Sequence, residues 1–259
     1  MNRTAAFVVN YNMVERTDAI CEHLARNVKS PLDIIVIDNG SDLMPPSKYT
    51  ALRLDENVQT TNGWLMGLHY ADCLARKRNS PYFAYWFIIT SAEFTSEGDP
   101  LTPMIKLFDH TPSAVACHPV LTKDSTTSWE HMKGVTGKGY TRTWMIDNIA
   151  SLYRADWFDG IGRFDPALTY AWGIDLETCW KARKADKGIW LSEDVPVKKV
   201  TDIGYTMNRM NQSASDRQQK AGAQMAEVLA GRYGSNWWER MTKEYVANIW
   251  YERLFQMEG

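Results

Sequence analysis

Hydrophobic positions along this chain fall into two kinds of run. "AAFVV" (Ala5 to Val9) and "DIIVID" (Asp33 to Asp38) are short, continuously apolar and rich in β-branched residues, the pattern of strands buried on both faces. Between them Thr17, Ile20, Cys21, Leu24 and Val28 recur at helical spacing, with Glu15, Arg16, Glu22 and Arg26 off that stripe. Strand, helix and strand form one βαβ unit. "DNGSD" (Asp38 to Asp42) and "LMPPSKY" interrupt the pattern as a loop. "NGWLMGLHYADCLARKR" resumes helical spacing through Leu65, Leu68, Ala71, Cys73 and Leu74, and "YWFIIT" is the strand after it. "PLTPMIKLFDH" reads as a helix opened by prolines, and "SAVACHPVL" as a strand. Strands alternating with helices predict an α/β domain.

From Thr122 to Tyr140 the chain is polar and rich in Gly, Thr and Lys, a surface excursion. The stretch from Trp144 to Leu191 contains two helices and a strand. From Ser213 two more helical stretches follow, the second with Trp238, Met241, Tyr245, Ile249 and Trp250 on one side. Mixed Glu, Lys and Arg on its other side favour packing onto the body over a membrane surface. Residues 1–212 therefore read as one domain and 213–259 as a helical C-terminal extension packed on it.

Composition narrows the class. The 259 residues carry a net charge of −2, which argues against a broadly cationic surface for nucleic acid. No run approaches the roughly 20 apolar residues of a bilayer span, and "MNRTAAFVVNYN" lacks the regions of a signal peptide, so an intracellular, cytoplasmic chain is expected. Cys21, Cys73, Cys117 and Cys179 stand singly among apolar residues without CxxC spacing, as reduced core residues. Eleven Trp and twelve Tyr suit a packed core or a cleft that stacks on sugars.

Candidate chemistry gathers where strands should end. Asn10 to Asn12 follow the first strand, Asp38 to Asp42 the second, and Thr90 to Glu93 follow "YWFII". Ligands of parallel sheets bind beyond the carboxyl ends of the strands, so these loops share one rim.

The segments "VVNYN" with "IIVIDNGSD", then "TNGW", and finally "IASLYRADWFDGIGRFDPALTYAWGIDLETCWKARKADKGI" resemble the family 2 glycosyltransferases of the GT-A fold, over about residues 4 to 200. The resemblance implies a Rossmann-like GT-A domain with a mostly parallel sheet and an inverting enzyme that takes a nucleotide-sugar, a UDP-sugar by expectation. It implies that Asn10 and Asn12 line the nucleotide pocket, that Asp38 accepts a hydrogen bond from the base, that Asn62 helps to close the pocket, and that Ser91 lies against the donor. The family's Asp-x-Asp motif, which holds Mn²⁺ or Mg²⁺ against the diphosphate, aligns with Ser91-Ala92-Glu93, leaving Glu93 as the one metal-binding carboxylate. Asp175 in "WGIDLE" matches the catalytic acid of the family, while the acid before it is replaced by Ile174.

Inverting transfer needs a group that takes the acceptor's proton and a counter-charge for the departing diphosphate. Asp175 is assigned the first role, held ionised at a helix N-terminus, with Glu177 on that helix's other side. Lys199, where the family often has a histidine, is assigned the second. Asp147 and Trp172 are assigned to the acceptor, a glycan, a protein or a modified nucleic acid base, the last left open by the run "NRMNQSASDRQQK". His118 and His131 receive no catalytic role. Two other readings are a catalytically degenerate member of the fold that binds a nucleotide or glycan without turning it over, and a nucleotidyltransferase. The last needs a Gly- and Lys-rich phosphate loop, which "NYNMVER" lacks.

Overall fold

The structure is a computed structural model and describes residues 2–134, 139–200, 213–243 and 253–254. The apolar runs become β1 (Thr4–Asn10) and β2 (Leu32–Asn39), joined by α1 (Val14–Asn27), which buries Thr17, Ile20, Cys21 and Leu24. A short edge strand, β3 (Thr50–Leu54), precedes α2 (Gln59–Arg78) and β4 (Ala84–Ile88). After β5 (Ala92–Phe94) come α3 (Thr102–His110), β6 (Ala114–Leu121), a 3-10 turn at Glu130–Met132 and β7 (Tyr140–Thr143). Then follow β8 (Ala150–Arg154), α4 (Ala155–Gly160), α5 (Ile174–Lys184) and β9 (Gly188–Lys199). Finally come α6 (Ala214–Tyr233), α7 (Trp237–Lys243) and β10 (Arg253–Leu254).

The strands form one sheet in the order β10-β7-β9-β6-β8-β4-β1-β2-β3, with β5 paired to β9 beside it. From β3 to β4 every pairing is parallel, as the βαβ pattern predicts. Beyond β4 the sheet is mixed, because β8 runs antiparallel between β4 and β6, and β7 runs antiparallel to β9. The pairings Asn10 with Asp38 and Ile88 with Ala150 align the ends of β1, β2 and β4 with the start of β8 on one edge.

The core centres on Phe87, which packs against Phe7, Trp64, Phe158 and Phe164 with ring centroids 4.7 to 5.5 Å apart. Helix α2 lies close to the sheet because Gly67 has no side chain: a Cβ there would stand 2.7 Å from Ile37 Cδ1 and 2.9 Å from Phe7 Cδ1. Cys21, Cys117 and Cys179 are buried as expected. Cys73 is exposed, because α2 buries the face of Trp64, Leu68 and Ala71 and leaves position 73 on the opposite side.

Helix α6 packs on the start of α5. Gly173, at φ 88°, has the left-handed backbone that precedes that helix, and a Cβ there would lie 2.8 Å from Met225 Cγ. Tyr233 closes the same contact edge-on to Trp180, with centroids 4.9 Å apart. The expected boundary at 212/213 adjoins residues 201–212, which lie outside the described residues, as do Asn208 to Asn211 of the polar run and Tyr245, Ile249 and Trp250 of the last apolar stripe. Among the described residues no helix is long and apolar enough to cross a membrane.

Candidate active site

The β1–β2 end of the rim is a closed hydrogen-bond lattice. Asn10 is fully buried, donates from Nδ2 to Asp38 Oδ1 at 2.9 Å, and accepts at Oδ1 from the Met13 N–H at 3.0 Å and Thr17 Oγ1 at 3.1 Å. Asn12 takes a left-handed φ of 56°, which asparagine tolerates, and its Oδ1 accepts the N–H groups of Asp42, Leu43 and Met44. Its Nδ2 donates to Asp42 at 2.8 Å, so Asn12 clamps one rim loop to the other. Ser41 ties the lattice together, donating to Asp38 Oδ1 at 2.5 Å and accepting from the Asn12 N–H at 2.9 Å.

Asp38 has no exposed surface, and its Oδ2 accepts no hydrogen bond. Arg53 on β3 brings Nε to 3.3 Å of that oxygen. Asn62 stands half-buried in the first turn of α2, above the sheet edge: a Cβ on its neighbour Gly63 would lie 3.1 Å from Val9 Cγ1 and 3.7 Å from Asn39 Cγ. That first turn is anchored to the 168–171 segment, where Ala171 donates to Thr61 Oγ1 at 3.1 Å.

Charged groups meet at the β8–β9 end. Cys179 Sγ lies 3.9 Å from Ile146 O, and the Arg183 guanidinium donates to Trp144 O, so α5 packs on the loop that carries Asp147. Lys199 Nζ donates to Asp147 Oδ2 at 3.2 Å. Asp175, the second residue of α5, is 9% exposed and accepts the Leu176 N–H at 2.8 Å. Its carboxyl is pushed up to about 7, chiefly by burial and then by the negative charge of Asp147, against the opposing pull of Lys199. The backbone N–H groups at the helix N-terminus favour the ionised form, as its position suggests, but burial and Asp147 work against them and raise the carboxyl above its ordinary range.

Glu177, the other acid of "DLE", points away from the rim as expected. It is 1% exposed, accepts from the Tyr233 hydroxyl, and lies 3.3 Å from Lys181 Nζ and 3.7 Å from Arg232 Nη1. His118 is buried and accepts the Ala150 N–H at Nε2, at 2.9 Å, while its Nδ1 donates to Pro119 O. Burial lowers it to about 4, so the imidazole is neutral at ordinary pH and braces the start of β8. His131 braces the neighbouring loop through Met145 O at 3.0 Å. Trp172 is 44% exposed beside α6, its ring 3.8 Å from the Cβ position of Gly222, and so belongs to the surface rather than to the core.

Ser91 and Glu93 are arranged differently from the motif they align with. Ser91 O accepts the Val200 N–H at 2.9 Å. Glu93 is paired across the β5–β9 ribbon with Lys198, while Ala92 is paired with Lys199. Directly opposed residues share a face and successive residues alternate, so Glu93 projects on the other side from Lys199. There it lies 3.5 Å from Arg16 Nη1, lining a cleft of about 370 Å³ between α1 and β5 that contains neither Asp38 nor Asp175. Among the described residues no group of three or more His, Cys, Asp or Glu could hold a metal ion.

The rim residue that sequence reasoning missed is Arg53, which belongs to an edge strand too short and too exposed to show a pattern; Ser41 falls inside the Asp38 to Asp42 loop that the sequence singles out, without a role of its own there.

No protein-family model matches the sequence, and no curated protein matches it. Solved structures do match by shape. GalNAc-T7 with UDP, GalNAc and Mn²⁺ aligns with a TM-score of 0.60 at 12% identity, over 92% of this chain and 50% of that one. The mannosyltransferase PcManGT from Pyrobaculum calidifontis, in complex with GDP-Man and Mn²⁺, aligns at 0.57 and 13% identity, over 95% and 76%. TarS of S. aureus aligns at 0.58 and 10% identity, over 94% and 42%. The chain thus spans about half the length of the GalNAc-T7 chain and less of TarS. The mixed sheet with helices on its faces, and a rim where its strands end, is the GT-A glycosyltransferase fold.

Proposed function

We propose that this chain is an inverting glycosyltransferase that moves a sugar from a nucleotide-sugar, of the uridine type, to an acceptor hydroxyl. The observation that carries the reading is the trio of Asp175, Asp147 and Lys199 at the β8–β9 end of the rim, on the same sheet edge as the buried Asp38. Asp38 Oδ2, a buried acceptor without a donor, suits a base N–H, and Asn10, Asn12 and Asn62 frame that pocket. Ser91, in the turn between β4 and β5, is assigned to the donor.

In the proposed step Asp175 accepts the proton of the acceptor hydroxyl as that oxygen bonds to the anomeric carbon. The bond from that carbon to the diphosphate oxygen breaks on the opposite face, and its electron pair leaves with the diphosphate. Lys199 offsets the charge that builds there. A base that titrates near 7 combines availability with driving force at neutral pH. Asp147 orients the hydroxyl, and the exposed face of Trp172 stacks on the acceptor ring, whether sugar or base.

Two of the fold neighbours are crystallised with Mn²⁺. The expected ligand here, Glu93, faces Arg16 rather than Lys199 and Asp147, so the residues present do not fit a resident Mn²⁺ or Mg²⁺, and no step is assigned to one. That same misfit, with Ile174 in place of an acid, favours the second reading, a protein of this fold that binds a nucleotide or glycan without turnover.

A panel of nucleotide-sugars, incubated with the purified protein with Mn²⁺ and with chelator, separates the two. The enzyme reading predicts release of UDP from at least one UDP-sugar. Binding of UDP without release from any donor, under either condition, assigns the chain to the binding reading.

A further inference from the structure

The first turn of α2, with Asn62, and the start of α5, with Asp175, are joined by one short segment, residues 168–173. Its α2 side is fully tied. Thr61, with no exposed surface, donates its N–H to Thr169 O at 3.1 Å and its hydroxyl to Leu168 O at 2.5 Å, and accepts the Ala171 N–H at 3.1 Å. The other side lies against α6. Gln224 Oε1 accepts from Thr169 Oγ1 at 3.1 Å and stands 3.5 Å from the Tyr170 nitrogen, while its Nε2 donates to the same hydroxyl at 3.0 Å. Around that bond the contacts are packing: Arg217 lies over the Tyr170 ring at 5.7 Å, Trp172 lies against Gly222, and Gly173 against Met225. Between the two grips Ala171 and Gly173 take left-handed backbone, at φ 65° and 88°. Glycine does so freely, but the Cβ of alanine disfavours it, so Ala171 keeps that shape where its neighbours hold it.

We infer that Gln224 is a positioning residue for sugar transfer: by holding Thr169 and Tyr170 from α6 it keeps residues 171–173 in their left-handed turns, and so sets the stance of Trp172 and of the α5 start that carries Asp175. The inference rests on the reading of Asp175 as the proton acceptor, and adds a residue outside the rim on which its placement depends. All three Thr61 bonds go to the backbone of the segment, so they survive the loss of Gln224 and keep the first turn of α2 in place. The α6 side is then released. Relaxation of Ala171 toward the right-handed region turns the peptide planes on either side of it, and Asp175 stands only two residues beyond Gly173. A small displacement of a reacting group costs much in rate, because the bond being made depends on its alignment. The loss therefore falls on kcat and not on nucleotide binding. Glutamate at position 224 keeps an acceptor oxygen for the Thr169 hydroxyl and stands in for the glutamine.

The test compares the wild type with Gln224→Ala, Gln224→Glu, Thr169→Val and the double variant Gln224→Ala/Thr169→Val. Turnover is read as UDP release from the UDP-sugar that the donor panel selects, beside UDP titration and amide hydrogen exchange, with a thermal scan to establish the folded fraction. Gln224→Ala is expected to lower kcat about tenfold or more while UDP affinity stays within about threefold of the wild type. Its exchange should quicken in residues 168–176 and stay unchanged in β1 and β2. Gln224→Glu is expected to keep kcat within about threefold of the wild type. Thr169→Val removes the other partner of the same bond, so it should match Gln224→Ala, and the double variant should lose no more than either alone. Normal kcat or unchanged exchange at 168–176 in folded Gln224→Ala, or losses that add in the double variant, overturns the positioning role and leaves glycosyl transfer standing. UDP affinity falling in step with kcat overturns it too, as a general loosening of the fold. If Gln224→Ala does not fold, Thr169→Val decides: kcat lost with UDP binding kept supports the role, and kcat kept contradicts it. A wild type that releases UDP from no donor ends the transfer reading, and this role with it.

Discussion

The two ends of the rim are built on opposite principles. Around β1 and β2, Asn10, Asn12 and Ser41 spend their hydrogen bonds on one another and on loop backbone, and Asp38 Oδ2 is left without a donor. At the β8–β9 end, Asp147 and Asp175 are like charges pressed together, with Lys199 tempering them. The first arrangement fixes a shape, and the second keeps a proton easy to move. Helix α5 repeats the contrast within three residues: Glu177 is locked to Tyr233, Lys181 and Arg232, while Asp175 is left with a backbone N–H and a repelling neighbour.

The largest test of that contrast is at Lys199. Lys199→Ala is expected to lower turnover about a hundredfold, measured as sugar transfer or UDP release at saturating donor, because the departing diphosphate loses its counter-charge. A smaller cost falls on stability at the locked position. Glu177→Ala is expected to lose about 1–3 kcal/mol in urea unfolding, since it strips partners from Tyr233 and two cations, while the folded fraction turns over at a near-normal rate. If turnover collapses and stability does not, the roles of the two α5 acids are reversed.

The pH dependence sharpens the charged end further. Activity should rise through about 7 as Asp175 loses its proton. Removing the neighbouring negative charge with Asp147→Asn should move that midpoint down by roughly half a unit to one unit. Asp175 also binds its proton more tightly when folded than when unfolded, so the fold should gain stability as pH falls from above 7 toward the ordinary carboxylate range. The smallest effect is expected at Glu93. Glu93→Gln should change turnover by less than about threefold with or without Mn²⁺, since an exposed pair with Arg16 contributes little. A large loss seen only with Mn²⁺ would restore Glu93 as a metal ligand.

The same contrast governs what the sequence made legible. β1, α1, β2 and β4 are buried on periodic or continuous apolar faces, so their pattern announces them, and with them the positions of Asn10, Asn12 and Asp38 on one edge. β3, β5 and β7 are short and half-exposed, which leaves no period to read, and Arg53 was hidden with the first of them. β8 was hidden for another reason: "ASLYR" runs straight into α4, and only its antiparallel insertion between β4 and β6 sets the edge on which Asp147 stands. Asp175 could be singled out by motif, but its raised carboxyl depends on burial and on a residue 28 positions away, which no local pattern carries. The face of Glu93 depends on its pairing with Lys198, again a tertiary fact.

The measurement that bears most directly on the central claim compares Asp175→Asn with the wild type in two readouts from the same preparations, UDP binding and sugar transfer from the donor identified by the panel. The proposed role of Asp175 as the proton acceptor predicts transfer reduced by about 10²-fold or more with UDP affinity kept within about threefold. Transfer at the wild-type rate by Asp175→Asn would contradict it.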